Sequence, residues 1–262
     1  MEYRMMHFYH DLWPVFYEDN HLLVVYKPAG LIMQRDHKNK ANLLDLTKIW
    51  IKHRYGKPGN VFVGMVHRLD GPVAGVVVLA RTSKAASRLS AQIREGGFEK
   101  RYLAVVQGHP SSDQAYLKND LIRDGRKSRI VTGPAKGSQT ASLQYRKLAS
   151  SEHTSLLDIH LETGRRHQIR VQLAHLGCPV LGDVNYGAAT SMPHGRIALL
   201  ARYLAFDHPT QKQRMTFRTP APEGWPWPCW EEEKPRPLWS IEEYEQEGLR
   251  PPIIGRSYRE KG

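Results

Sequence analysis

The sequence predicts an α+β fold, a mixed and mainly antiparallel sheet with flanking helices. Three observations carry this. Short apolar runs with strand character recur from residue 15 onward, as at residues 22–26, 76–80 and 100–107. Three segments place apolar residues at helical spacing. The two kinds of segment mix without the strict alternation of a doubly wound α/β chain.

The chain enters with a strand-rich stretch, residues 15–26. Glu18-Asp19-Asn20 forms a turn, Leu22-Leu23-Val24-Val25-Tyr26 is a buried strand, and Lys27-Pro28-Ala29-Gly30 ends it with Pro and Gly punctuation. Residues 42–54 carry Leu43, Leu46, Ile49 and Trp50 at helical spacing, with Asn42 placed as the cap and Gly56 and Pro58 as the stop. Gly71-Pro72 makes a bend, and residues 76–80 read as a buried strand. Thr82 or Ser83 then opens a helix with Ala86, Leu89 and Ile93 on one face, closed by Gly96-Gly97. Alternation along residues 100–107 puts Tyr102, Ala104 and Val106 on one side of a strand.

Further strands are expected around residues 142–148 and 156–161. The stretch 123–137, rich in Arg, Lys and Gly, is expected to be a solvated and mobile segment. Residues 167–176 read as a helix with Ile169, Leu173 and Leu176 inward and Gly177 as its stop. Beyond Thr219 the composition shifts. Pro220, Pro222, Pro226 and Pro228 interleave with Trp225, Trp227 and Trp230, then come Glu231-Glu232-Glu233, a short segment at 241–247 and a basic end. The chain therefore divides into an N-terminal extension (1–14), a main domain (15–220) and a tail (221–262). The tail is expected to pack on the domain through its tryptophans or to be held by a partner.

Composition bounds the function. Of 262 residues, 40% are hydrophobic and 24% charged, as in soluble domains with a sizeable core. Thirty-eight Lys and Arg against 26 Asp and Glu leave a formal net charge of +12, which favours capture of polyanions. Nucleic acid is the leading partner, ahead of an acidic membrane surface. No run approaches a membrane span. No secretory signal is visible at the N-terminus. Cys178 and Cys229 lie far apart and outside any CxxC pair, so they read as free thiols of a cytoplasmic protein. A monomer is the default expectation.

Two stretches stand out as chemistry. His67-Arg68-Leu69-Asp70 sets a carboxylate at the Gly71-Pro72 bend beside an arginine. Thr163-Gly164-Arg165-Arg166-His167-Gln168-Ile169-Arg170 crowds basic side chains at the start of a helix. Cations there are disfavoured by a few tenths of a kcal/mol each, so fold stability gains little from them. An anion site gains more, because free N–H groups, a turn at Gly164 and arginines can converge on a phosphate or carboxylate. A structural pairing of an arginine with Glu162 is the alternative reading.

These stretches, together with others, resemble pseudouridine synthases of the RluA type. The resemblance is carried by Tyr17-Glu18-Asp19 through Lys27-Pro28-Ala29-Gly30, the HRLD ending at Asp70, Lys100-Arg101-Tyr102-Leu103-Ala104, Thr163-Gly164-Arg165 with His167-Gln168-Ile169-Arg170, and Leu181-Gly182-Asp183 with Tyr186-Gly187. It spans residues 15–220, and the motifs stand in the family's order and spacing. It implies the pseudouridine synthase fold with a central active-site cleft, and isomerisation of uridine to pseudouridine in ribosomal or transfer RNA without metal or organic cofactor. Asp70 then becomes the nucleophile that captures or stabilises an electron-poor sugar carbon. Arg170 pairs with it and keeps it ionised. Tyr102 stacks on the extruded base, and its hydroxyl assists proton removal from C5. Arg68 fills the gap left by the flipped nucleotide, an extrusion that costs a few kcal/mol, or instead only holds a phosphate. His67, Arg165, Arg166 and His167 contact substrate. Leu200 lines the uracil pocket by the resemblance, whereas the sequence alone favours core packing for it.

The chain departs from the family pattern in two places. Gly71-Pro72-Val73-Ala74 replaces a basic residue and a later hydroxyl pair after the aspartate, which bears on RNA contacts near the nucleophile. Leu199-Leu200-Ala201 lacks a frequent histidine. No separate N-terminal RNA-binding domain is read, so target selection rests on the basic surface, residues 123–137 and the tail. Two other classes compete. One is a catalytically inactive RNA-binding protein on the same scaffold. The other is a metal-dependent hydrolase, suggested only by 13 histidines and unsupported by any HExxH or tight ligand cluster.

Overall fold

Every strand pairing but one is antiparallel in the sheet at the centre of the computed structural model, which describes residues 15–35, 42–133, 135–222 and 224–227. In chain order its elements are β1 (Val15–Glu18), β2 (Leu22–Lys27), α1 (Leu43–Tyr55), β3 (Gly64–Met65), β4 (Ala74–Ala80), α2 (Ser83–Arg94), β5 (Glu99–Gln107), β6 (Gln114–Asp124), β7 (Lys127–Val131), β8 (Gln139–Ser150), β9 (Thr154–Leu161), α3 (Gln168–His175), β10 (Leu199–Asp207) and β11 (Arg214–Arg218). The strands run in the order β1-β2-β4-β10-β5-β9-β8-β6-β7. β3 joins β4 and β11 joins β10. The exception is β10 beside β4, which is parallel at Leu200–Ala74 and Ala201–Gly75. This is the α+β class expected.

The continuous apolar runs of β2 and β4 have a physical reason. Both strands are buried along their whole length because the sheet is covered on both faces there. Leu23, Val25, Val77 and Leu79 share one core with Leu43, Leu46 and Ile51 of α1 and with Ile169 and Leu173 of α3. The alternate residues Leu22, Val24, Val76 and Val78 share another with Ala85 and Leu89 of α2, Phe98 and Phe206. The period-2 alternation of the strands thus sorts the helices onto opposite faces.

The expected caps are in place. Asn42 Oδ1 accepts the Asp45 N–H at 3.1 Å, and Asp45 Oδ2 accepts from Asn42 Nδ2 at 2.9 Å. The Thr82 hydroxyl caps α2 by accepting the Ala85 N–H at 3.1 Å. Gly177, at φ +76°, ends α3 in the left-handed conformation expected of a C-terminal glycine.

Three expectations need correction. Residues 123–131 are not a loop: Arg123 to Val131 belong to the β6–β7 hairpin, turned at Gly125 with φ +53°. Polar strands with one solvated face look like loops when charge is read before alternation. Leu176 is 38% exposed rather than inward, because α3 ends one residue before it. Leu200 is fully buried, yet on the face away from the cleft, with Tyr26, Ala74, Leu103 and Ala221. Trp225 and Trp227 pack against the main core, as expected of the tail. Trp230, Cys229, the acidic run, the segment at 241–247 and the 1–14 extension lie outside the described residues.

Candidate active site

Asp70 is placed by a tethered loop rather than by a regular element. The loop between β3 and β4 turns at Gly71-Pro72, where the Val73 N–H donates to the Asp70 carbonyl at 3.1 Å. The segment after β2 clamps it from below. The Gly30 N–H donates to the Gly71 carbonyl at 2.8 Å. Lys27, fully buried, spends its three protons on the carbonyls of Pro28, Leu31 and Gly71 at 2.9, 2.7 and 3.1 Å. Burial pulls the Lys27 amine down to about 7, with the Asp70 charge opposing that shift. Leu69 is sunk in the core, so its neighbours Arg68 and Asp70 are turned outward into a cleft.

The cleft is a cavity of about 670 Å³. Asp70, Tyr102, Arg170 and His167 line it, and Arg68, Arg94, Lys100, Arg165 and Arg166 add positive charge to its walls. Its base is apolar, with Val73, Leu161, Ile169 and Leu199. Such a space offers an apolar floor to a flat ring and positive walls to an anion.

Arg170, the third residue of α3, is buried and holds two carboxylates at once. Its Nη1 donates to Asp70 Oδ2 at 3.2 Å. Its Nε and Nη2 grip Asp183 at 2.6 and 2.8 Å, the bidentate fork typical of Arg with carboxylate. Burial alone would lower the Arg170 pKa, but the two carboxylates carry it upward. The guanidinium also lies 4.9 Å from the centre of the Tyr186 ring.

His167 precedes α3 in the left-handed region at φ +53°, a conformation costly for a non-glycine residue. Its Nε2 stands 3.6 Å from Asp70 Oδ2 and its Nδ1 is 2.9 Å from the Tyr186 hydroxyl. The Tyr186 oxygen already accepts the Ser128 N–H at 2.8 Å. If that hydroxyl donates to Nδ1, the ring proton sits on Nε2 and faces the Asp70 carboxylate. The opposite tautomer would aim a lone pair at a negative charge. Burial first, then Arg170 and Arg166, lower the His167 pKa against the opposing pull of Asp70, so the neutral ring is favoured.

Tyr102 comes from β5, whose alternation brings Lys100 and Tyr102 to the cleft while Arg101 faces Glu99 on the other side. Burial, aided by Asp70, raises the Tyr102 pKa above the ordinary phenol value. Its hydroxyl therefore stays protonated near neutrality.

The remaining expected residues divide. Arg68 is exposed on the cleft wall. Arg165 and Arg166 are exposed at the rim, their side chains donating to the carbonyls of Thr140 and Arg126 at 3.0 and 2.8 Å. Neither shows a bond to Glu162, which accepts instead from Tyr116 and Gln144. His67 borders the cleft, but its Nε2 accepts the Val78 N–H at 3.0 Å and is committed to holding the loop against β4. Leu200 points away, and its neighbour Leu199 takes the place expected of it in the cleft. Asp183, Tyr186, Lys27 and Lys100 complete the arrangement without having been singled out. All four stood inside the quoted motifs. Among the described residues, no three His, Cys, Asp or Glu side chains converge as metal ligands would.

A carboxylate held by arginine and histidine beside a tyrosine, in a cleft walled with cations, is an arrangement suited to an enzyme of anionic substrates. The chain belongs to the RNA pseudouridylate synthase family, whose model matches residues 21–175, and it is an isomerase of RNA. It is 33% identical over 223 residues to the ribosomal large subunit pseudouridine synthase D of Zymomonas mobilis, covering 80% of this chain and 69% of that protein. Similarity to tRNA pseudouridine synthase C of Pectobacterium carotovorum is 32% over 229 residues, covering 78% and 58%. Among solved structures, human RNA Pseudouridylate Synthase Domain Containing 1 superposes with a TM-score of 0.60 at 25% identity, over 80% of this chain and 84% of that one. Human RNA Pseudouridylate Synthase Domain Containing 4 shares the fold, with a TM-score of 0.68 at 24% identity, over 80% and 89%.

Proposed function

We propose that this enzyme converts specific uridines of large-subunit ribosomal RNA to pseudouridine, with Asp70 as the nucleophile. The observation that carries the chemistry is the three-way hold on Asp70, by Arg170, by His167 and by the clamped loop. The ribosomal target is supported by the names of several relatives at 33% identity, in Zymomonas mobilis, Pseudomonas aeruginosa and Xanthomonas campestris. The relative named for transfer RNA supports a second reading of the target.

In this reading the target nucleotide leaves its stack and its base enters the cleft. Arg68 occupies the space it vacates, where a planar cation can stack. The N1–C1′ bond breaks with its electron pair remaining on uracil, and Asp70 forms the bond to C1′. The uracil turns, its C5 bonds to C1′, and the Asp70 carboxylate leaves. The C5 proton departs to a base, and N1, left with the electron pair of the broken bond, takes up a proton, so that the overall change is an isomerisation. Tyr102 packs on the base throughout, and its protonated hydroxyl suits it to relaying a proton rather than to acting as a standing phenolate. The enzyme works as a monomer in the cytoplasm and needs no metal.

The test is to map pseudouridine across total RNA from cells with and without the protein, then repeat in vitro with wild type and Asp70→Asn, each with and without chelator. A site lost in the deletion, restored by wild type in chelator and not restored by Asp70→Asn supports the proposal. Sites confined to transfer RNA would move the target to the second reading. Loss of activity in chelator would sink the metal-free reaction. RNA binding without product, using the RNA that bears the site, would return the inactive scaffold.

A further inference from the structure

Lys100 is the least explained charge in the molecule. It lies on β5 two residues before Tyr102, on the same face, and lines the cleft. Its neighbour Arg101, on the opposite face, meets Glu99 at 2.8 Å and Asp158 at 3.8 Å. Lys100 has neither a hydrogen bond nor an ion pair among the described residues, although it is substantially enclosed. The ammonium lies against Gly164, whose lack of a side chain leaves it open to the cavity: a methyl group there would stand 3.6 Å from Nζ. Lysine is strongly hydrated, and an enclosed ammonium without a partner costs free energy in the unbound protein. Burial correspondingly lowers the Lys100 pKa, and its charge is felt at His67.

A costly, unpaired cation retained inside a substrate cleft waits for an anion. The carboxylates that border this cleft are already engaged. Asp70 is held by Arg170 and approached by His167, and Glu162 accepts from Tyr116 and Gln144. Uracil carries no phosphate, so the anion has to come from the backbone next to the flipped nucleotide. We propose that Lys100 binds a backbone phosphate adjacent to the target uridine and so positions the C1′ carbon against Asp70. This rests on the assigned RNA isomerase activity and goes beyond it by placing the phosphate subsite within the cleft rather than on the outer basic surface.

The proposal separates from a packing role because the two predict opposite changes in stability. Lys100→Met should raise the melting temperature, since it removes an unpaired enclosed charge. In a titration followed by nuclear magnetic resonance, the same variant should bind uridine 3′,5′-bisphosphate roughly tenfold more weakly, equivalent to about 1.4 kcal/mol. Its affinity for uridine, which has no phosphate, should be unchanged, and Lys100→Arg should recover most of the loss. On RNA, the slope of log kcat/KM against log salt should become shallower by about 0.7, the value for one single-strand phosphate contact. A lowered melting temperature with equal loss of uridine and bisphosphate binding would overturn the proposal in favour of packing. Equal bisphosphate affinity in wild type and Lys100→Met would overturn it outright. Failure of wild type to make pseudouridine would instead strike the assigned activity, while the mononucleotide titrations would still decide the role of Lys100.

Discussion

Asp70 is a short side chain on a loop, and the proposed attack on C1′ would require it to be held in one place. Four residues share that work. Arg170 touches it, Asp183 fixes Arg170 from behind, His167 approaches its other side, and the Tyr186 hydroxyl stands 2.9 Å from Nδ1 of His167. Tyr186→Phe tests the outermost member. The Ser128 N–H and His167 Nδ1 lose their partner, and stability should fall by about 1–3 kcal/mol. Because His167 is then free to turn from Asp70, kcat should drop roughly tenfold, or about 1.4 kcal/mol of transition-state stabilisation. RNA affinity should stay within about twofold, since the hydroxyl touches no substrate. A stopped-flow or single-turnover rate equal to wild type would show that Arg170 alone holds the nucleophile. Asp70, Tyr102 and Arg170 were singled out because each sits in a contiguous motif that resembles the family's, and the fold brings all three to one cleft. Asp183 and Tyr186 were legible only as part of a pattern. Their partners lie on another element, and a carboxylate or phenol does not announce which arginine or histidine it will meet. Lys27 reads as an ordinary lysine ending a strand, and only three converging carbonyls reveal that it is buried.

At the level of elements, register decides which residues reach the cleft. Leu199 and Leu200 are chemically identical, and only the pairing of Leu199 with Ala104 and Leu200 with Leu103 sorts them to opposite faces. A one-residue shift would exchange them, so the choice between pocket and core for Leu200, which the structure settles as core, is one that local reading leaves open. The parallel β4–β10 contact that sets this register depends on Gly75. With φ +139°, it occupies backbone space that other residues rarely adopt, and an added Cβ would lie 2.5 Å from Ala201 Cβ and 2.7 Å from Ala201 Cα. Gly75→Ala should therefore cost more than about 3 kcal/mol, in the range of severe overpacking. Chemical denaturation should show it as a lower midpoint; a midpoint within error of wild type would mean the strands can separate at this point without loss. His67 couples the catalytic loop to β4 in a pH-dependent way. Burial, with Lys100 nearby, pulls its pKa to about 3, against about 6.5 in an unfolded chain. The unfolded chain thus binds more protons between those values. The stability contributed by neutral His67 is full above pH 6.5 and is lost as pH falls toward 3. Gln at this position can accept the Val78 N–H but cannot titrate. The advantage of wild type over His67→Gln in unfolding free energy should shrink steadily from pH 7 to pH 4, and parallel curves would refute the role.

For the whole molecule, the question is how a net charge of +12 becomes a binding surface. The fold gathers part of it at the β6–β7 hairpin, where Arg123, Arg126, Lys127 and Arg129 are exposed around a turn. Charge and glycine content made this stretch look unstructured, and the alternation of Ile122, Ser128 and Ile130 was too weak to contradict them. Structure matters here because the hairpin is joined to the active site. The buried Ser128 donates its hydroxyl to the Arg166 carbonyl at 2.7 Å and its N–H to Tyr186, and the Arg126 carbonyl receives Arg166. RNA bound at the hairpin would thereby be held at a fixed distance from Asp70, which a mobile loop would not ensure. Arg129 already faces Asp124 at 3.6 Å, whereas Arg123 donates only to the Gly125 carbonyl at 3.2 Å and Lys127 lies 6.0 Å over the Tyr186 ring. Among the described residues these two and Arg126 have no carboxylate partner and can meet phosphate. Replacing Arg123, Arg126 and Lys127 with Ala leaves the backbone links to Arg166 and Tyr186 intact. Each phosphate that the variant no longer neutralises should reduce the salt slope of log affinity by about 0.9 on duplex RNA-like targets and about 0.7 on single strands, so the triple variant should lose roughly two to three units of slope. Affinity at low salt should fall, whereas kcat at saturating RNA should remain near wild type because no group in the cleft is altered. Filter binding across a salt series, paired with single-turnover rates, separates the two quantities. An unchanged slope would show that the hairpin serves only to brace Tyr186 and that the RNA rides on the arginines of the cleft rim. A fall in the saturated rate with an unchanged slope would show that these side chains brace the active site themselves, in place of carrying RNA to it.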